Sequence, residues 1–192
     1  MGRTYDAIDG RLADFVLGQP VFFVATAPSG AGGHVNCSPK GTDGTFALLG
    51  PRTVAYLDRT GSGIETVAHL RDNGRIALMW CAFTGPPRIV RVHGRGEVVE
   101  AGDPRFAGLC ARFPAASGPD GAPLGTRAVV VVEAERISDS CGYGVPLMDF
   151  VDHRDAMDKW SANKGPDGLA EYQATTNAAS LDGLPGLPGL PG

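Results

Sequence analysis

The stretch from Thr53 to Gly96 limits the possible folds more than any other part of the chain. Strand-forming residues predict strands at Thr53–Asp58, Arg75–Phe83 and Arg88–Val99. A short helix is predicted at Glu65–Asp72, between the first two of these strands. Apart from this helix, strands that follow one another along the chain are joined by short links, which favours an antiparallel sheet over a parallel one.

The flanking sequence supplies further strands of the same kind. Val21–Thr26 and His34–Pro39 are predicted to form a hairpin around a glycine-rich turn, and Arg127–Ile137 is predicted to be the last long strand. Thr45–Leu49 is predicted to add a short strand or a 3₁₀ turn. About six strands with tight turns indicate a small antiparallel barrel, closed or nearly closed, which leaves few strand edges exposed.

Helices are predicted around this sheet where apolar residues recur at helical spacing. They are expected at Thr4–Leu17, after an Asp103 N-cap with Pro104 as the first helical residue, at Arg154–Lys164 and at Leu169–Ala179. Residues 1–180 are predicted to be one domain, with the last helices as a C-terminal extension. Residues 181–192 carry a Gly-Leu-Pro repeat and are predicted to form an extended or disordered tail.

Composition argues against several function classes. The chain has 192 residues, of which 43% are hydrophobic, and its net charge of -4 argues against a nucleic-acid-binding protein. It has no apolar run of the roughly 20 residues that a membrane helix needs. Its first residues lack the apolar core of a signal peptide, so a cytoplasmic location is expected. The cysteines form no C-x-x-C pair and the histidines show no metal-ligand spacing, so we expect reduced thiols and no metal site.

The loop Arg59–Gly63 carries the most informative polar residues. It offers two hydroxyls from Thr60 and Ser62, two flexible glycines and one guanidinium, and it opens directly into the predicted helix. Free N–H groups and the dipole at a helix N-terminus favour a bound anion, so this chemistry suits a phosphate. A glycine- and serine-containing loop ahead of a helix is also a common helix cap, and that structural role is the alternative.

Basic side chains elsewhere in the sequence could serve the same phosphate. Lys40 ends the second strand of the hairpin, and Arg88 and Arg91 lie on the last strand of the central block. Together with Arg59 they are predicted to converge on a doubly charged phosphate, each adding charge-assisted hydrogen bonds. For Lys40, the alternative is an ordinary exposed lysine in a turn.

The strand from Arg88 to Gly96 has two different faces. Val90 and Val92 share one parity, whereas Arg91 and His93 share the other. Successive side chains of a strand point to opposite faces, so the valines are predicted to point into the barrel and the basic residues outward. The basic face is either a solvated surface, or a subunit interface or anion pocket.

Three motifs in this order resemble the pyridoxamine 5′-phosphate oxidase-like flavoproteins. They are YLDRTGSG at Tyr56–Gly63, AHLRDNGRIAL at Ala68–Leu78 and PRIVRVHGRG at Pro87–Gly96. The resemblance extends over roughly Val21 to Ile137, and Ser140–Pro146 together with the tail is similar to a bacterial subgroup of that family. It implies the FMN-binding split barrel, so the predicted fold is mainly β: a six-stranded antiparallel Greek-key split barrel with flanking helices.

The resemblance also implies a homodimer with two FMN molecules at the subunit interface, each flavin lying against the outside of a barrel. By position, Lys40 and Ser62 match phosphate-side residues of the family, and Tyr56 matches an aromatic residue. Ile89 or Arg91 falls near the family glutamine that approaches the flavin ring. The oxidase itself has Gly-Ser-Arg-Lys at the phosphate loop, where this chain has GSGIET at residues 61–66. Arg59 and Thr66 are expected to compensate.

The function implied is that of an FMN-binding flavoprotein, an oxidoreductase acting on an unidentified small molecule. The alternatives are a flavin-binding or redox-sensing protein without turnover, and the same barrel holding a deazaflavin or haem. The oxidase motifs for the pyridoxal phosphate substrate are not matched, so oxidation of pyridoxamine phosphate itself is not predicted. The predicted cofactor-binding residues are Ser38, Lys40, Tyr56, Asp58, Arg59, Thr60, Ser62, Thr66, Arg88 and Arg91.

Overall fold

A computed structural model describes residues 2–118 and 121–187 as an antiparallel β-sheet with flanking helices. The strands are β1 (Thr4–Tyr5), β2 (Phe22–Thr26), β3 (Asn36–Lys40), β4 (Phe46–Leu48), β5 (Thr53–Arg59), β6 (Arg75–Cys81), β7 (Ile89–Glu100) and β8 (Thr126–Ser140). The helices are α1 (Gly10–Leu17), α2 (Glu65–Asn73), α3 (Phe106–Cys110) and α4 (Ala156–Thr176). The mainly β fold class predicted from the sequence is confirmed.

The sheet runs in the order β3-β2-β6-β7-β8-β5-β4, with β1 paired to the last residues of β8. The described residues form eight strands where six were predicted. The three-residue β4 fills the place where a short strand or a turn was expected. The predicted start of the first helix at Thr4 was wrong. Thr4 and Tyr5 form the strand β1, which pairs with Ser138 and Ile137, and α1 begins only at Gly10.

The two faces of β7 differ as the sequence predicted. Val90 and Val92 are fully buried, whereas His93 and Arg95 are exposed on the opposite face. The register shifts between His93 and Gly94, where β7 and β8 come unusually close. A Cβ added at Gly94 would lie 2.0 Å from the Glu133 carbonyl oxygen, so the bulge requires a glycine.

Aromatic side chains fill the interior of the barrel. The ring of Phe22 lies 5.2 Å from that of Phe46, 5.7 Å from that of Tyr56 and 5.6 Å from that of Trp80. Tyr56 and Trp80 are fully buried. These contacts bring β2, β4, β5 and β6 around one core and fix the end of β5, from which the candidate site begins.

The helix α2 packs against β2 and β7 through Val67, Ala68 and Leu70, which are buried. It ends at Gly74, whose φ of 69° places it in the left-handed region that favours glycine. The Asn73-Gly74 pair therefore stops the helix as the sequence predicted.

The helix α4 is broken at Gly165, which has φ 66° and ψ 174° and precedes Pro166. The two helices predicted at Arg154–Lys164 and Leu169–Ala179 are thus two halves joined at this break.

The α3 helix starts later than predicted. Asp103 accepts the Arg105 N–H at 2.8 Å ahead of the helix and is not its N-cap.

After α4 the chain doubles back in a C-terminal hairpin (residues 177–187), in which Ala179 bridges to Pro185. Leu187, only 7% exposed, packs against Ile64 and Val67 beside the start of α2. The part of the predicted tail from 181 to 187 therefore lies against the domain, and residues 188–192 lie outside the described residues.

Within the described ranges, none of the helices has both the length and the apolarity needed to cross a bilayer.

Candidate functional site

The carboxylate of Asp58, at the end of β5, is fully buried and paired on both oxygens. Lys40 Nζ donates to Oδ1 at 3.0 Å, and Arg127 Nε donates to Oδ2 at 2.7 Å. Two cations therefore share one anion, and the cluster carries an excess of one positive charge. Such an excess favours an anion close by, because uncompensated charge away from bulk water is costly.

The charge states of Asp58 and Tyr56 depend on burial and on the charged groups beside them. Burial alone would raise the pKa of Asp58, but Lys40 and Arg127 outweigh it, so the pKa of this carboxyl lies below its ordinary value. The pKa of Tyr56 is raised well above its ordinary value, first by burial and then by the charge of Asp58. Lys40 Nζ lies 5.6 Å from the centroid of the Tyr56 ring. At neutral pH Asp58 is therefore charged and Tyr56 is neutral.

Arg127 and Asn177 hold the corner loop (Thr60–Gly63) that follows β5. Arg127 Nη2 donates to the Gly63 carbonyl at 2.8 Å, and Nη1 donates to Asn177 Oδ1 at 2.8 Å. Asn177 Nδ2 in turn donates to the Gly61 carbonyl at 2.9 Å. The corner loop is thus tied by its carbonyls to β8 and to the end of α4.

The opposite side of the corner loop is open. Ser62 and Gly63 are exposed, and Ser62 makes no hydrogen bond within the described part of the chain. The N-cap of α2, Ile64, provides no side-chain cap, so the N–H groups of the first turn are left for another acceptor. One carboxylate lies beside the corner loop. Glu65 Oε1 accepts the Leu181 N–H at 3.3 Å, and Oε2 lies beside Gly63.

Arg59 and Thr60, both predicted to bind the phosphate, face the protein instead. Arg59 Nη1 pairs with Asp158 of α4 at 2.6 Å, and Nη2 donates to the Leu124 carbonyl at 2.7 Å. Thr60 Oγ1 donates to the Gly125 carbonyl at 2.8 Å and accepts from Gln173 Nε2 at 2.8 Å. Both residues therefore dock α4 and the loop before β8.

Arg88 and Arg91 lie away from the corner loop. Arg88 donates to Asp139 at 3.1 Å and to the Tyr5 hydroxyl at 2.9 Å, and Arg91 Nη1 donates to Ser140 Oγ at 2.9 Å. Arg91 reaches Lys40 only across β6 and β2, and neighbouring strands lie about 4.8 Å apart. Within one chain, the predicted convergence of the four cations is therefore not found.

Three polar residues of β3 share one face by alternation: Asn36, Ser38 and Lys40. Asn36 Nδ2 donates to Thr66 Oγ1 at 3.1 Å, which ties β3 to the first turn of α2. Ser38 is half-buried between Asn36 and Lys40. This face links the Asp58 cluster to the open end of α2, and it contains Ser38, Lys40 and Thr66 of the predicted set.

Sequence reasoning missed three residues of this site: Arg127, Asn177 and Asn36. Arg127 begins an apolar strand and Asn177 follows a helix, and both positions are usually solvent-exposed. Arg127 lies 69 residues from Asp58 in sequence, and Asn177 lies 116 residues from Gly61. Only Asn36 could have been found, because it shares the parity of Ser38 and Lys40 on a predicted strand.

Sequence comparison places this chain close to one family. A sequence profile described as pyridoxamine 5′-phosphate oxidase matches residues 8–141. A pyridoxamine 5′-phosphate oxidase family protein of Aspergillus flavus, ustO, is 44% identical over 197 residues, which cover 94% of this chain and 76% of that protein.

Comparison of folds finds more distant likenesses. A conserved hypothetical protein from Mycobacterium tuberculosis is 18% identical with a TM-score of 0.47, over 77% of this chain and 95% of that chain. A pyridoxamine 5′-phosphate oxidase-related, FMN-binding protein from Nostoc punctiforme is 11% identical with a TM-score of 0.46, over 66% of this chain and 77% of that chain. Family membership therefore rests on the two sequence matches.

Proposed function

The chain belongs to the pyridoxamine 5′-phosphate oxidase family, and from this premise we propose that it binds FMN and is an oxidoreductase acting on a small molecule. The observation that carries the proposal is the uncapped start of α2 beside a buried cluster with excess positive charge. Free N–H groups, an exposed serine hydroxyl and a nearby ammonium are the donors that a phosphate monoester requires.

The residues present fit the phosphate of FMN in most respects. Ser62, the backbone N–H groups of residues 62–64 and Lys40 would hold it. Lys40 has 23% of its side chain exposed, so its ammonium is not sealed in by Asp58. Glu65 has the wrong sign for this role and weakens the site, although its carboxylate is held by the Leu181 N–H. Arg59, which was expected to compensate, points to Asp158.

FMN, when bound, supplies the redox chemistry, and the protein supplies binding and orientation. Apart from Glu65, the residues that turn to the corner loop and to β3 carry hydrogen-bond donors and small polar groups. None of the predicted site residues forms an acid–base pair with another across the open side. The chain's own contribution in this proposal is therefore to hold and orient the phosphate end of the cofactor.

A homodimer is part of the proposal, because one stretch of the chain exposes many apolar side chains. The segment after β8 exposes Tyr143, Leu147, Phe150 and Val151, the last of them by 93%. Several exposed apolar side chains within one short stretch of chain are typical of a surface that another protein covers. A second copy of the chain would bury them and would also bring its own Arg88 and Arg91 to the interface.

Purification of the full chain and analysis of its bound small molecule tests the function directly. We expect a yellow protein that absorbs near ~450 nm, releases FMN on denaturation and sediments as a dimer. Bleaching of that absorbance by NADH or NADPH would identify an oxidoreductase, whereas a flavin that stays oxidised with both donors would favour a sensor. Colourless protein that takes up no FMN, or a preference for a deazaflavin or haem, would contradict the proposal.

A further inference from the structure

We propose that Arg127 and Asn177 are positioning residues that turn the corner-loop carbonyls inward, so that the N–H groups on the opposite side face the phosphate. The inference rests on the proposed FMN-binding function and adds to it the residues that prepare the site. Neither residue is expected to touch the cofactor, because Arg127 is 7% exposed and Asn177 is fully buried.

The orientation of two peptide units carries the argument. The Gly61 carbonyl accepts from Asn177 Nδ2 at 2.9 Å, and the Gly63 carbonyl accepts from Arg127 Nη2 at 2.8 Å. All described peptide bonds are trans, and a planar trans peptide points its N–H opposite to its carbonyl. The N–H groups of Ser62 and Ile64 therefore point away from the buried side, and neither meets an acceptor among the described residues.

Hydrogen bonds to the two carbonyls hold this orientation, and the space beside Gly61 is open. A Cβ added at Gly61 would meet nothing within 4 Å. Arg127, in contrast, is anchored by its bond to Asp58, and the Asn177 carbonyl accepts the Leu187 N–H at 2.9 Å. The two residues form a rigid frame behind a loop with few contacts of its own, and donors held in advance bind an anion without the cost of ordering them.

Titration of the full-length apoprotein with FMN and with riboflavin tests the inference, because the two ligands differ only in the phosphate. The variants are Asn177→Ala, Arg127→Lys and, as the matched control, Ser180→Ala. Arg127→Lys keeps a charge for Asp58 but lacks the guanidinium fork that reaches Gly63 and Asn177. Ser180→Ala removes one hydrogen bond of the same C-terminal hairpin, from the Leu184 N–H, without touching a corner-loop carbonyl.

We expect the wild-type protein and Ser180→Ala to bind FMN much more tightly than riboflavin. In Asn177→Ala and Arg127→Lys this preference should fall roughly tenfold, about one charge-assisted hydrogen bond, while riboflavin affinity stays the same. A purely structural role would weaken both ligands alike. Circular dichroism identifies a variant that has not folded. If Asn177→Ala does not fold, the result for Arg127→Lys alone decides the test.

Two negative results are distinguishable. If the wild-type protein binds neither ligand, or binds both equally, the proposed phosphate site itself is wrong. If the wild-type protein prefers FMN and both folded variants keep that preference, the site stands and the positioning role of Arg127 and Asn177 is refuted.

Discussion

Arg127 Nε lies 2.7 Å from Asp58 Oδ2, and both side chains are almost entirely buried. The pair joins the end of β5 to the start of β8, and Lys40 completes it from β3. A buried ion pair of this kind stabilises little by itself, but the loss of one partner is expensive because the other charge stays buried without compensation.

We therefore expect Asp58→Asn to lower the free energy of unfolding by about 3–5 kcal/mol at pH 7, because Lys40 and Arg127 then face each other unpaired. Urea denaturation followed by circular dichroism measures the change. Asp167→Asn, at an exposed position of α4, is the matched control and should change the stability by less than about 0.5 kcal/mol. A loss as small as that of the control would show that Asp58 does not hold the cluster.

The cost of Asp58→Asn should depend on pH. The pKa of Asp58 is lowered in the folded protein, so its stabilisation is complete above the unfolded value of about 3.9 and is lost as the pH falls through the folded value. The difference between wild type and Asp58→Asn should thus be constant from pH 7 to pH 5 and shrink below about pH 4. A difference that grows on acidification would have the wrong sign for this pairing.

Local patterns predicted much of the fold, and long-range packing decided the rest. The alternation of Val90 and Val92 with Arg91 and His93 assigned both faces of β7, since strand periodicity depends only on neighbours in sequence. Arg59 shows the limit of such patterns. Its position beside Thr60 and Ser62 suited a phosphate, but its guanidinium reaches Asp158, 99 residues later, and only the packing of α4 determines that contact.

The bulge at Gly94 should tolerate no side chain. Gly94→Ala would place a Cβ 2.0 Å from a backbone carbonyl of β8, and backbone atoms in a paired strand cannot give way easily. We expect a loss of more than about 2 kcal/mol or an insoluble product. Gly102→Ala, where nothing lies within 4 Å, is the control and should fold normally. Equal melting temperatures for the two variants would show that the β7–β8 approach is looser than described.

The C-terminal hairpin should be held chiefly by Leu187. Leu187→Ala removes the side chain that packs on Ile64 and Val67, at a typical cost of about 2 kcal/mol or more for a buried leucine. The backbone N–H groups of Gly186 and Leu187, which donate to residues 178 and 177, should then exchange with solvent at least about tenfold faster. Leu181→Ala, at a position that is 74% exposed, should leave exchange unchanged. Equal protection in both variants would contradict an anchoring role.

The apolar segment after β8 should govern the oligomeric state if the proposed dimer forms. Val151→Asp places a charge on a side chain that is 93% exposed in one chain, so the stability of the monomer should change by less than about 0.5 kcal/mol. Sedimentation velocity should show a shift from dimer towards monomer, because a charge buried at an interface is costly. Leu181→Asp is the control outside this segment, and a dimer that persists in Val151→Asp would place the interface elsewhere.

Glu65 should oppose phosphate binding, since its negative carboxylate lies beside Gly63 of the corner loop. Replacement by glutamine removes the charge and keeps the size. We expect Glu65→Gln to bind FMN about two- to fivefold more tightly, with riboflavin affinity unchanged and a slightly lower melting temperature from the loss of an acidic residue in the first turn of α2. Isothermal titration of the apoprotein measures both ligands, and Glu171→Gln, on the exposed surface of α4, is the control. An unchanged FMN affinity in Glu65→Gln would mean that the phosphate does not approach the start of α2.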